Sequence, residues 1–281
     1  MNVKVLSAIL VLALASMACG FSVNLPKQSQ PGPDVKDSIT VAGKGSEEMR
    51  LSLTFGAGIL KLSPGAGTAL VDGTAVYNFD QLKPEIVKDG NSVEIKHGDF
   101  QNLVNPRDVV NEWDLQLGSM PIDLTINAGA YNGTYELGGL SLTNLTVKDG
   151  AANVDLSFSE PNQTEMSVLR YETGASDVTL TGLANANFST LMFNGGAGNY
   201  TLDFSGELTR EGVVKIEAGA GDVQLIIPKD VNANVTVESA LASVNHSSGW
   251  TQNGSEYTQS GKGPELTIIV KMAAGNLTIT D

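Results

Sequence analysis

Two rows of polar side chains recur at fixed places in this sequence, and both could do chemistry. Asn132, Asn153, Asp177, Asn199, Asp222, Ser243 and Asn276 each lie three residues after a Gly-Ala pair or its counterpart. Stacked side-chain oxygens could hold a line of cations. Calcium, however, takes about six to eight oxygens at about 2.3–2.6 Å. Asp177 and Asp222 are separated by the repeat of Asn199, so at strand spacing their carboxylates stand ~10 Å apart. One carboxylate every second repeat is too sparse. Asn132, Asn153, Asp177, Asn199, Asp222 and Asn276 are therefore expected to form a structural ladder, capping turns and hydrogen-bonding along a stack. No metal site and no cofactor is expected.

The second row lies two residues before each pair: Asn127, Lys148, Glu172, Asn194, Glu217, Glu238 and Lys271. It reads as a solvated face. Glu217 and Glu238 are expected to be adjacent in the stack and would repel if both ionised. Catalysis needs an activated group with a positioned partner. The histidines are His97 and His246, and no Gly-x-Ser-x-Gly elbow accompanies them. Arg170, Arg210 and Lys215 fall at different offsets in the repeat, so they form no row for cleaving acidic polysaccharides. Gly195–Leu202 is similar to a calcium-binding nonapeptide, but Tyr200 stands where that motif has Asp, and no nine-residue period follows. The expectation is a protein with no catalytic residues, not an enzyme.

The elements that must carry these rows are repeats. Gly-Ala pairs occur at Gly129, Gly150, Gly174, Gly196 and Gly219, in steps of 21, 24, 22 and 23 residues. Degenerate copies follow at Ala240-Leu241 and, after an insertion, at Ala273-Ala274. Apolar residues sit five and three positions before each corner, from Leu124/Ile126 to Ile268/Val270. They return four and six positions after it, as in Val154/Leu156 and Val223/Leu225. The first copy departs, its apolar pair delayed to Tyr135/Leu137. Alternation of this kind is the period of a half-buried strand. A tight Gly-Ala corner excludes bulky side chains. One 22-residue turn cannot bury its own apolar face, whereas stacked turns bury a common core. The predicted fold is all-β: a single-stranded β-solenoid of short strands in 21–24-residue turns, preceded by a smaller β region. A β-sandwich is the alternative.

Leu51/Leu53, Gly56-Ala57 and Leu60/Leu62 match the template once, and Pro84–Lys96 reads as a hairpin around Asp89-Gly90. Asn105-Pro106-Arg107 breaks the run. Frequent Asn-x-Ser/Thr triplets, as at Asn144, Asn187 and Asn199, reflect the residues that turns and strands favour.

Lys4 is followed by an apolar run from Val5 to Ala15 and then by Ser16-Met17-Ala18-Cys19. These are the parts of an export signal. The run is short for a spanning helix. Cys19 is the one cysteine in the sequence, so no internal disulfide forms. The segment resembles a bacterial lipoprotein signal, which implies lipidation of Cys19; simple secretion is the alternative. The expected organisation is a signal peptide at 1–18, a lipidated cysteine and flexible tether at 19–36, an N-terminal β region at 37–111 and a repeat domain at 112–281. The formal net charge of −14 opposes binding to nucleic acid. The expected partners are the membrane, through the anchor, and an envelope glycan or protein.

Asn111–Leu117, Pro121–Ala130 and Leu137–Ala151 resemble the toast-rack family, and the continuing Gly-Ala-Gly repeats resemble the adhesin-like β-solenoid domains of bacterial envelope lipoproteins. The resemblance covers most of the chain beyond Cys19. It implies an extracytoplasmic binding or spacer module. Relatives in stress responses make an envelope-stress regulator the first alternative, and a polysaccharide-active enzyme on a β-helix scaffold is the second.

Overall fold

The computed structural model describes residues 30–98 and 108–281. Cys19, the export signal, most of the tether and the Asn105-Pro106-Arg107 break lie outside the described residues. The strands, in chain order, are β1 (Val35–Ala42), β2 (Met49–Pro64), β3 (Ala69–Tyr77), β4 (Glu85–Asp89), β5 (Ser92–Lys96), β6 (Asn111–Leu117), β7 (Pro121–Glu136) and β8 (Ser141–Asp149). They continue as β9 (Ala151–Ser157), β10 (Met166–Thr181), β11 (Phe188–Asp203), β12 (Gly212–Ile226), β13 (Asn232–His246), β14 (Thr251–Asn253), β15 (Glu256–Gln259) and β16 (Glu265–Thr280). The chain is all-β, and all these strands join one sheet.

Most repeats form one long strand that passes through its corner; in the Gly150-Ala151 repeat the strand breaks at Gly150, leaving β8 before the corner and β9 after it. Equivalent positions pair in parallel: Leu169↔Leu191↔Val214↔Ile268 before the corner, and Leu180↔Leu202↔Leu225↔Ile279 after it. Alternation does the rest. Leu124, Ile126, Leu145, Val147, Leu169 and Tyr171 point inward and are buried, and the intervening polar residues face out. Phe158, Phe204 and Ile227, where the chain leaves the strand, are buried in the same core. In these return loops Asn187 takes a left-handed conformation with φ 55°. Its Nδ2 donates to the Thr164 carbonyl at 3.0 Å.

The order of stacking differs from the order of the sequence at both ends. At the far end β16 lies between β12 and β13, pairing in parallel with each. The β14–β15 hairpin is the insertion that lets the chain pass β13 and return to the vacant place beside β12. At the near end β2 pairs with β7 along its length, Ala57↔Ala130 included. The outer edge of β2 is covered by β5 on one side of the corner and β6 on the other. The sheet thus runs without interruption across position 111. The hairpin expected around Asp89-Gly90 is β4–β5, with Gly90 at φ 58°. β1 and β3 extend the sheet outward from β6.

Two expectations are corrected by packing. The first-copy apolar pair is not delayed. Gly133 takes the inward place opposite Val154, and Tyr135 that opposite Leu156. Gly133 is small because a Cβ there would lie 2.8 Å from the Tyr131 ring and 3.0 Å from that of Tyr135. The second correction concerns the corner. Ala175 and Ala197 are exposed and have room. The crowded positions are the glycines, since a Cβ on Gly196 would stand 2.3 Å from the Gly174 carbonyl oxygen of the neighbouring strand.

Candidate functional site

The corners line up into a seam across the strands, and the row two places before each corner runs beside it. Register gives its order in space: Lys96, Thr54, Asn127, Lys148, Glu172, Asn194, Glu217, Lys271, Glu238. Glu217 and Glu238 are therefore not neighbours. The inserted β16 places Lys271 between them, its Nζ 3.5 Å from Glu238. Lys148 lies 3.3 Å from Glu172, which Arg170 also approaches at 3.4 Å. These pairs are exposed, so each contributes at most about 1 kcal/mol. Their consequence is a row of mixed sign rather than a block of one charge.

Two open grooves follow the seam. One has Phe55 and Ala128 as its floor and His97, Asn127, Lys148 and Asp149 on its walls, with a volume of about 540 Å³. The other runs along Thr173, Asn194, Glu217, Lys271 and Glu238. Their polar groups recur at ~4.8 Å, the spacing between paired strands. That suits a hydrogen-bonded extended ligand better than a single reacting atom. His97 is held by main chain: its Nε2 accepts from the Gly56 N–H at 2.9 Å, and Nδ1 lies 2.6 Å from the Gly98 carbonyl. With Nε2 accepting, Nδ1 is the ring nitrogen that faces the carbonyl as donor. His246 Nδ1 likewise meets the Ser247 carbonyl at 3.0 Å.

The Asn/Asp row comes together as one exposed line on the other wall: Asn132↔Asn153↔Asp177↔Asn199↔Asp222↔Asn276↔Ser243. Asn199 Nδ2 donates to Asp177 Oδ1 at 2.7 Å, and Asn276 Nδ2 donates to Asp222 Oδ1 at 2.7 Å. Amide–carboxylate pairs thus occupy the carboxylates that a cation would need. Among the described residues no three His, Cys, Asp or Glu side chains gather in a way that could hold a metal ion.

One cluster escaped the sequence reading. Asp149 sits just before its corner and points into the interior behind the first groove. Its Oδ2 accepts from Tyr171 at 2.7 Å and from Tyr131 at 3.4 Å. Its Oδ1 accepts from Thr173, with Ser176 at 3.4 Å. Tyr135 donates to Tyr131 at 2.9 Å, and Ser176 accepts from the Ala152 N–H at 2.9 Å. Burial is the main cause that pushes the phenols of Tyr131, Tyr135 and Tyr171 well above their ordinary range, with the Asp149 charge adding to it. The Tyr131 and Tyr171 hydroxyls are donors to the Asp149 carboxylate, and Tyr135 donates to Tyr131.

The family described as the N-terminal domain of toast_rack, DUF2154, matches residues 30–180 and 162–226. The chain belongs to the toast-rack family. That match crosses position 111, as the sheet does. Among solved structures, a candidate cell adhesion protein from Clostridium sporogenes is similar at 22% identity and TM-score 0.50, over 88% of this chain and 99% of that one. A candidate adhesin from Bacteroides fragilis is similar at 11% identity and TM-score 0.47, over 89% and 99%. No curated protein matches the chain. The first likeness extends the toast-rack fold over nearly the whole of a solved structure.

Proposed function

We propose that this toast-rack protein is a non-catalytic, adhesin-like binding module of the cell envelope. It is a β-solenoid held at the outer face of a membrane through lipidated Cys19, with 19–36 as its tether. The observation that carries this reading is the seam: hydrogen-bonding groups of mixed charge, repeated at strand spacing beside exposed glycine corners. Such a surface meets an extended polar chain, and an envelope glycan is the ligand class it fits best. The export-type N-terminus supports an extracytoplasmic setting. The likeness to a candidate cell adhesion protein agrees with it. Both histidines are engaged with main-chain groups and Asp149 is surrounded by its own donors, which argues against turnover.

The test is a glycan array and whole-cell binding with the full chain. Saturable binding is expected, weakened at least about tenfold by Lys148→Glu with Lys271→Glu, because each reversal makes a like-charge row. Absence of binding to every envelope glycan and cell surface, or turnover of a polysaccharide, would overturn the reading. The anchor has its own measurement. Mass spectrometry of protein from bacterial membranes is expected to find diacylglyceryl on Cys19. An unmodified thiol there would reduce the proposal to a secreted module.

A further inference from the structure

Among the described residues the sheet has four outer edges, and three are protected. β4 carries Glu85, Lys88 and Asp89, and β1 carries Lys36 and Asp37. β14 is three residues long. Charge and short length are the usual defences against edge-to-edge pairing. The fourth edge is the second half of β13. Its first half is covered by β15, from Ala233 to Thr236. Among the described residues no strand pairs with the outer side of Leu241–His246. This edge carries no such defence. Between Glu238 and Glu256 the sequence has no Asp, Glu, Lys or Arg. Leu241, which stands where most corners have alanine, is 81% exposed. Behind it Ala242 and Val244 point inward but are only partly buried, so the core itself ends open here.

We infer that this edge pairs with the same edge of a second copy, antiparallel about a two-fold axis near Ser243. A two-fold axis normal to the sheet keeps inward side chains inward. Ala242 of each copy then lies opposite Val244 of the other, and the two cores become one. Self-pairing is isologous, so one surface supplies both halves. Two copies of a chain with net charge −14 repel at long range. The uncharged stretch is the place on the sheet edges where they meet without adjacent like charges. A foreign strand would gain nothing from that neutrality. β1 lies at the opposite end of the stack from β13, so the pair directs its two β1 strands outward. If the proposed anchor at Cys19 holds, paired copies link facing surfaces.

The test uses the full chain with Cys19→Ser and a single new cysteine. Ser243→Cys is expected to give a covalent dimer with a short bis-maleimide at micromolar protein. Asn132→Cys, exposed but remote from the edge, is expected to stay monomeric. Adding Leu241→Lys to Ser243→Cys is expected to lower dimer yield at least about tenfold, circular dichroism being unchanged. Equal cross-linking at positions 243 and 132, or no response to the added lysine, overturns the pairing. Beads bearing N-terminally tethered chains should clump, and Leu241→Lys should disperse them. Cross-linking without clumping overturns the facing-surface arrangement alone, and neither readout depends on a glycan ligand.

Discussion

Gly221→Val is expected to destabilise the protein by about 3–6 kcal/mol, while Ala220→Leu, one position earlier, changes stability by less than about 1 kcal/mol. The corner explains the contrast. Gly221 has φ 136°, which L side chains rarely adopt, and a Cβ there would stand 1.8 Å from the Gly198 carbonyl oxygen. The conflict is with main chain, which cannot rotate away. It also propagates, because a Cβ on Gly275 would meet the Gly221 carbonyl oxygen at the same 1.8 Å. Displacing one corner displaces the next. Ala220 is paired with Ala197 and Ala274 in register but points to solvent, so a larger side chain finds room. Urea melts of both variants decide the matter. Equal midpoints would mean that the seam of glycines is not what sets how closely the strands approach.

The repeat was legible because burial alternates with a fixed phase around each corner. Leu169 and Tyr171, or Val223 and Leu225, reveal their facing without any neighbour being known. Three other features depend on what lies next in space. Nothing in the sequence near Lys271 says that β16 stands between β12 and β13. The hint lay in the sixth copy, where His246 replaces an inward apolar residue. Among the described residues no strand pairs with the outer side of this half of β13, and the partly open position tolerates that change. The Gly-Ala pair marks a tight corner, but nothing in it says that glycine rather than alanine carries the demand, because a close main-chain approach leaves no trace in hydropathy. Gly133 looked like a shifted pattern because two tyrosines fill the place its side chain leaves vacant. Asp149 carried a signal that alternation alone does not weigh. It occupies the position held in other strands by Phe55, Ala128, Ala218 and Met272. A carboxylate at an inward position requires donors, and Tyr171 and Thr173 of the next strand supply them.

That carboxylate sets the second large effect. Asp149→Leu leaves the hydroxyls of Tyr171 and Thr173 buried without their acceptor, at about 1–3 kcal/mol each, so a loss of about 2–6 kcal/mol is expected. Asp149→Asn keeps an acceptor oxygen and should lose less than half of that. The same cluster makes the fold alkali-sensitive. Tyr131, Tyr135 and Tyr171 have raised pKa values, primarily through burial. Tyr77, buried and donating to Asp37 at 2.7 Å, is pushed up to about 12. A phenol raised in the folded state contributes stability that is complete below the unfolded value near pH ~10 and is lost as pH climbs beyond it. Above that point the unfolded chain releases protons that the folded chain retains. Each phenol held neutral removes about 1.4 kcal/mol per pH unit, so the three of the cluster together remove about 4 kcal/mol per unit. Stability should therefore be level between about pH 8 and about pH 9.5 and fall steeply by about pH 11. Phenolate absorbance should rise in one step with the loss of β-sheet circular dichroism. Gradual ionisation of these tyrosines near pH ~10 with the sheet intact would contradict their burial behind the first groove.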